Sequence, residues 1–267
     1  MSDVYAGKPW LQNYDEHVPP TLQYEEKTFA EKFREAVERY PDKTCIIYMG
    51  REITYRQMDM LSNQLAAYLI AQGLKPDDVV GMHMPNIPAH YIGIVAVQKA
   101  GGVSTGLSPL LTAHEMEHQL KDSGAKVILT TDILFDKIAE VADRVDFSTV
   151  LVSAIGDFMP APLRILGKLA KKIPTAETGP LAGKKVMPFL EAIRGMSSEP
   201  VEVKRSMDDL IFLMYTGGTT GPAKGAMLTQ RSYMCNRLQT LAWLDLKPDE
   251  VAVSAFPLFH IAGLALG

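Results

Sequence analysis

The chain has 267 residues, 47% of them hydrophobic and 22% charged, with 27 Lys and Arg against 31 Asp and Glu. A net charge of -4 and a pI near 5.9 argue against a nucleic-acid binder, because gripping a phosphate backbone takes a cationic surplus. No apolar run approaches the roughly 20 residues of a bilayer span, and Met1–Trp10 lacks the charged-then-apolar order of a secretory leader.

This length suits one large or two small domains with a sizeable core. Such a chain does not need disulfides, and Cys45 and Cys235 match neither a CxxC nor a metal spacing. Both lie in apolar segments and read as buried reduced thiols, which fits a reducing cytoplasm.

Residues 1–27 carry prolines and aromatics without a sustained period and read as an extended lead-in on the surface. Thr28 and Glu31 then have capping-box spacing, and Phe29, Phe33, Val37 and Tyr40 recur at helical intervals until Pro41. Cys45–Met49, a turn at Gly50-Arg51 and Glu52–Thr54 read as a hairpin. Tyr55–Gly73 is an amphipathic helix with Leu61, Leu65, Tyr68 and Leu69 on one stripe. The spacing next predicts a strand at Val79–Met84, helices at Ala89–Ala100 and Thr112–Ser123, and a strand at Lys126–Thr130. A helix at Ile133–Ala142 and a strand at Thr149–Ser153 follow. Strands alternating with helices of this length imply βαβ units, hence an α/β fold layered on a largely parallel sheet.

Residues 158–190 break the rhythm. They hold Arg164, Lys168, Lys171, Lys172, Lys184 and Lys185 against the single acid Glu177, with prolines at 160, 162, 174, 180 and 188. Leu163, Leu166, Leu169, Ala170 and Ile173 fall at helical spacing with the bases elsewhere. That is the pattern of a short helix on an anionic membrane surface, and also of a solvated insertion with one packed helix. A strand at Asp209–Tyr215, a second at Ala226–Thr229, a helix at Arg231–Ala242 and a strand at Val251–Phe256 complete the chain, without internal repeats.

Between the strands that flank it, Tyr215-Thr216-Gly217-Gly218-Thr219-Thr220-Gly221-Pro222-Ala223-Lys224-Gly225 concentrates four glycines, three threonines and a lysine. Glycine admits positive φ and close backbone approach, so successive N–H groups can converge on one anion. Hydroxyls add donors and the lysine a point charge. Hydrogen bonds to a charged group contribute roughly 1.5–3 kcal/mol each, so a few of them suffice to hold a polyphosphate. The loop is neither GxGxxG nor a Walker A motif, which needs Gly at Ala223 and Ser or Thr at Gly225. A turn rich in Gly and Thr without a ligand is the plainer reading.

The stretch Tyr215–Thr229 resembles the phosphate-binding signature of the adenylate-forming acyl-CoA synthetase and luciferase superfamily, and Gly217-Gly218 with Ala223 is most similar to its long-chain fatty-acid-CoA ligase branch. Phe256-Pro257-Leu258-Phe259-His260-Ile261-Ala262-Gly263 resembles the family's next motif. Asn86-Ile87-Pro88, Gly101-Gly102 and Ser108-Pro109-Leu110 resemble its early helix and loop.

The resemblance implies a fold and a reaction. Residues 1–267 would be the N-terminal AMP-binding domain, with 158–190 as a basic insertion. A fatty-acid carboxylate would attack the α-phosphate of ATP in the presence of Mg2+ to give an acyl-adenylate and pyrophosphate, and the thiol of coenzyme A would then displace AMP. By the same resemblance Thr216, Gly217, Gly218, Thr219, Thr220, Gly221, Lys224 and Gly225 would hold the β- and γ-phosphates. Thr216 would also meet the metal, and His260 would stand beside the reacting carboxylate as the catalytic candidate; a histidine packed at a strand end is the plainer alternative. The family's acidic Mg2+ ligand, ribose-binding aspartate, hinge and C-terminal domain with its lysine would all follow Gly267, so the chain is expected to be the N-terminal part of a longer enzyme. Two departures touch the site: Pro222-Ala223 reverses the usual order, and Gln230 stands where many relatives have histidine.

Two other function classes compete. His114-Glu115-Met116-Glu117-His118 matches H-E-x-x-H, in which two histidines one turn apart bind zinc and the glutamate activates water. The extended signature would put Gly at Lys121 and His at Gly124 and fails, leaving Glu140 as the candidate third ligand. A nucleotide- or acyl-binding module without catalysis also satisfies the loop.

Overall fold

The computed structural model describes residues 6–201, 203–217, 221–247 and 249–266. The lead-in holds one 3-10 turn, Pro9–Asn13, and packs through Tyr14 and His17 against Trp243. Helix α1 (Phe29–Arg39) starts at the expected box: the Thr28 hydroxyl accepts the Glu31 N–H, and the Glu31 carboxylate accepts the Thr28 N–H. Strands β1 (Thr44–Tyr48) and β2 (Arg51–Thr54) pair antiparallel around Met49-Gly50, both at positive φ, 46° and 83°. A two-residue turn that matches strand twist requires that conformation, so the turn lies one residue earlier than expected. Helix α2 (Tyr55–Ala71) opens on a second box, Thr54 with Gln57.

The main body alternates β3 (Val79–His83), α3 (Pro88–Lys99), β4 (Val103–Gly106), α4 (Ala113–Ser123), β5 (Val127–Thr131), α5 (Phe135–Ala139) and β6 (Thr149–Ser153). Then come α6 (Ala161–Leu169), β7 (Lys185–Pro188), α7 (Phe189–Ile193), β8 (Leu210–Thr216), β9 (Lys224–Thr229), α8 (Gln230–Leu244) and α9 (Ile261–Leu266). The sheet order is β7-β6-β5-β3-β4-β8-β9, parallel throughout except for the antiparallel β8–β9 pair.

Successive strand residues feed opposite faces, which is why the buried runs are continuous. Val127, Leu129 and Leu151 join the core under α2, α3, α7 and α8, whereas Ile128, Val150 and Val152 join the core under α4 and α5. Lys99 ties α3 to α2 from within: its buried ammonium meets Asp59 Oδ1 at 2.6 Å, Asn63 Oδ1 at 2.7 Å and Ser62 Oγ at 2.8 Å.

Several elements differ from expectation. Strand β4 was not foreseen because Val-Ser-Thr-Gly is short and half polar. The 158–190 segment does contain the basic helix, but its end returns to the sheet as β7, and Phe189 is fully buried. The helix expected over Ile133–Ala142 is a 3-10 turn followed by α5, which stops at Ala139. Val251–Phe256 forms no strand. Val251 and Val253 are 75% and 89% exposed, and β-branched side chains do not make a strand where no neighbouring ladder or packing surface receives them.

Two histidines are folded in as neutral groups. His83 Nδ1 lies 3.0 Å from Thr130 Oγ1, His90 Nδ1 lies 3.2 Å from Pro85 O, and burial pushes both rings down to about 4. Because the folded value is depressed below the unfolded value near 6.5, their contribution is complete above about pH 6.5 and is lost as pH falls toward 4, up to about 3 kcal/mol each. Urea midpoints should therefore drop between pH 7 and 4.5, and His83→Asn should flatten that slope.

Candidate nucleotide-binding site

Because β8 runs parallel to β4 and β3, Thr216 emerges at the same carboxyl edge as Gly106 and His83. In open α/β sheets this is the edge at which ligands bind. The antiparallel return pairs Thr216 with Lys224 and Tyr215 with Gly225, so the Gly/Thr-rich segment is carried at the tip of a hairpin.

Gly218, Thr219 and Thr220 lie outside the described residues. Of the others, Thr216, Gly217, Gly221 and Lys224 are exposed, and Gly225 is half-buried. Thr216 Oγ1 donates to Lys224 O at 3.4 Å, a long bond that leaves its lone pairs available. Lys224 forms no ion pair with another described residue. Gly217 does not adopt positive φ, so the left-handed backbone expected of these glycines is not found there, and a Cβ on Gly217 or Gly221 meets no described residue within 4 Å. Gly225 differs: a Cβ there would stand 2.9 Å from Leu213 Cδ1.

The second motif is a turn leading into α9. His260 is exposed, and its Nδ1 accepts the Ala262 N–H at 3.2 Å, so the neutral ring carries its proton on Nε2. It is not packed at a strand end, since no strand precedes it. Asn86, just after β3, holds this stretch: its Nδ2 donates to Ser254 O at 3.1 Å and Phe256 O at 2.8 Å, and its Oδ1 accepts the Leu258 N–H at 2.9 Å. Gly106 lies directly beneath, where a Cβ would fall 2.2 Å from Phe259 O. A cavity of about 10 Å³ under the turn is lined by Met82, Ile94, Phe212, Met214, Leu258 and Leu264, room for one water rather than an acyl chain. A larger cavity, about 270 Å³, opens at the opposite, amino edge between Leu74, Lys75, Lys126 and Ser148, away from both motifs.

A profile described as AMP-binding enzyme matches residues 33–267. The chain belongs to that family. Among curated proteins it is 32% identical over 269 residues to a long-chain-fatty-acid–CoA ligase of Bacillus subtilis (strain 168), covering 98% of this chain and 47% of the relative. It is 28% identical over 236 residues to 4-coumarate–CoA ligase 1 of Petroselinum crispum, covering 86% of this chain and 38% of the relative. The crystal structure of a long-chain-fatty-acid-CoA ligase from Archaeoglobus fulgidus superposes with a TM-score of 0.75 at 22% identity, over 95% of this chain and 46% of that one, which shows the shared fold. The chain spans about half the length of the curated relatives it matches.

In this AMP-binding chain the zinc-like motif has other work. The Glu115 carboxylate accepts both the N–H and the hydroxyl of Thr112 at 2.8 Å, capping α4. Glu117 pairs with Lys121 at 2.6 Å and Arg144 at 2.7 Å, and Met116 is buried. His118 Nε2 lies 2.9 Å from Ala223 O. Among the described residues no group of three His, Cys, Asp or Glu could hold a metal, so the zinc reading falls. Cys45 and Cys235 are free thiols, each only partly buried rather than buried as expected, and desolvation pushes the Cys45 thiol up to about 11.

The His260 turn depends on close backbone approach at Gly263, where a Cβ would stand 2.0 Å from Pro257 O. Gly263→Ala should cost about 1–3 kcal/mol and accelerate amide exchange over residues 257–264, read by urea denaturation and exchange mass spectrometry.

Proposed function

We propose that the hairpin tip from Thr216 to Gly225 is the polyphosphate cradle of an ATP-dependent acid–thiol ligase that joins a long-chain fatty acid to coenzyme A. On this reading residues 1–267 are its N-terminal AMP-binding domain. The observation that carries the proposal is that Thr216, Gly217, Gly221 and Lys224 are exposed at the carboxyl edge, the lysine with no ionic partner among the described residues. The fatty-acid branch rests on the long-chain ligases among the relatives, since the cavity of about 10 Å³ near His260 accepts no chain.

Lys224 contributes charge to the β- and γ-phosphates, and the amides and hydroxyls of Gly217, Gly218, Thr219, Thr220 and Gly221 contribute directional donors. This is positioning and electrostatic stabilisation, the larger part of what a protein adds to attack at phosphorus. Mg2+ would neutralise the phosphates when bound. The described residues fit it only through the Thr216 hydroxyl, because they hold no carboxylate cluster, and magnesium sites commonly complete their shell with substrate phosphates and water. His260, with its proton on Nε2, would donate a hydrogen bond to the substrate carboxylate or the oxygen developing from it.

The same reading includes a cytoplasmic location and transient contact of α6 with an anionic membrane, where fatty acids partition. No helix among the described residues is long and apolar enough to cross a bilayer. Helix α6 instead buries none of its residues: Leu163, Ile165, Leu166 and Leu169 are exposed, and Arg164, Lys168, Lys171 and Lys172 accompany them. This is the composition of an interfacial helix.

Calorimetric titration with MgATP should show Lys224→Ala weakening binding by roughly tenfold or more, as expected for a lost charged hydrogen bond. Unchanged affinity sinks the cradle, and failure of fatty acids to drive pyrophosphate exchange in the intact enzyme sinks the ligase assignment. Vesicles containing phosphatidylglycerol should co-sediment the protein, and changing Lys168, Lys171 and Lys172 to Glu should abolish it; equal pelleting of both defeats the membrane contact.

A further inference from the structure

Helix α4 reaches both flanks of the hairpin tip. His118 Nε2 donates to Ala223 O at 2.9 Å on the β9 side, and the Tyr215 hydroxyl donates to Asp122 Oδ2 at 2.5 Å on the β8 side. His118 and Asp122 are four residues apart on α4, hence on one face one turn apart. Tyr215 immediately precedes Thr216 and Ala223 immediately precedes Lys224, and Thr216 and Lys224 face each other across the ladder. The two contacts therefore grip the neck of the hairpin from both strands.

The helix that makes them is itself fixed. Its first turn is closed by Thr112 and Glu115, and Met116 and Leu120 are buried in the core beneath the sheet. Gln119, between the two gripping residues, donates to Gly106 O at 2.8 Å at the end of β4, the glycine that lies against Phe259. One helix thus contacts the loop on both sides and the strand end that supports the His260 turn.

We propose that His118 and Asp122 are positioning residues of the nucleotide site, holding the neck of the hairpin so that Thr216 and Lys224 are presented in one orientation before the phosphates arrive. The inference rests on the cradle reading of that loop. Neither side chain needs to touch ligand. Fixing the neck reduces the conformational freedom that binding would otherwise remove, so the contacts act on affinity through pre-organisation. Burial and the Asp122 carboxylate push the Tyr215 phenol up, which keeps its proton in place for the bond. The His118 contact needs a proton on Nε2, because a carbonyl oxygen only accepts. A glutamine amide can supply a donor near the same position.

The test compares the chain with His118→Ala, His118→Gln and Tyr215→Phe by amide exchange of the peptide spanning 215–225 and by MgATP titration. We expect His118→Ala and Tyr215→Phe to speed exchange in that peptide and to weaken MgATP roughly three- to tenfold, and His118→Gln to restore both. Exchange unchanged in His118→Ala, or equal effects of Ala and Gln, overturns the proposal, because a role in general stability would not distinguish donor from non-donor. If exchange responds as expected while neither His118→Ala nor Lys224→Ala alters MgATP binding, the neck contacts stand and the cradle reading fails.

Discussion

The junction of β4 with β8 is the constraint on which the site depends. Its register contains one residue pair, Ser104 with Phe212, yet it brings the strand carrying the hairpin tip alongside the first parallel strands. A buried amide relay reinforces it. Gln98 Nε2 on α3 donates to Ile211 O at 3.1 Å, Gln230 Nε2 donates to Gln98 Oε1 at 2.9 Å, and Gln230 Oε1 accepts the Phe29 N–H at 3.0 Å. Each amide in this chain both donates and accepts, so α3, β8, α8 and α1 are linked without an unsatisfied group on either glutamine's bonded atoms. In an interior of low dielectric such a fully paired relay favours one arrangement over alternatives. Gln230 thus has a structural role in this chain.

The sheet also separates two kinds of edge. At the amino edge the cavity beside Lys75 and Lys126 is open and shallowly supported, with none of the motif residues near it. At the carboxyl edge the loops are tied to one another: Asn86 holds the segment before His260, Gly106 allows that segment to lie on β4, and α4 bonds to the ends of β4, β8 and β9. Cavity size alone would pick the amino edge. Convergence of strand ends and cross-bonded loops picks the other, and the second criterion carries chemistry because it fixes donors relative to one another.

Much of this was legible where a local rule and the tertiary context agree. The Thr28–Glu31 box, the hairpin before α2, and the buried strands β3, β5 and β6 follow from capping, turn and burial patterns that the core merely reinforces. Illegibility came from the opposite circumstance. Strands β4 and β7 have no signal of their own; Ser104, Thr105 and Lys185 enter the sheet only because neighbours present open edges. Conversely, Val251 and Val253 have the residue types of a strand and find no edge to join. The same limit governs the site. The loop from Thr216 to Lys224 stands out as a candidate from its composition, whereas His118 and Asp122 make their contacts with partners more than 90 residues away in sequence. His118 was even misdirected, since one residue of the H-E-x-x-H pattern was a helix cap and another a loop support.

The glycines of the tip pose the remaining physical question. Nothing at the described ones demands them: Gly217 avoids positive φ, and a Cβ on Gly217 or Gly221 meets no described residue within 4 Å. Glycine also costs stability through the freedom it gives the unfolded chain. The proposed cradle would account for a residue that is unfavourable for folding and unneeded by this backbone, through what must approach it. Open space on the exposed side of Gly217 and Gly221 lets an anion reach the peptide N–H groups without a Cβ in the way, as an anion-binding concavity requires. The neighbouring Gly225 shows the contrast, since a Cβ there would stand 2.9 Å from Leu213 Cδ1 and 3.2 Å from Tyr215 Cζ. Within one hairpin, then, the glycine at the base lies close against its strand neighbours, whereas Gly217 and Gly221 leave the room that the proposed cradle would need.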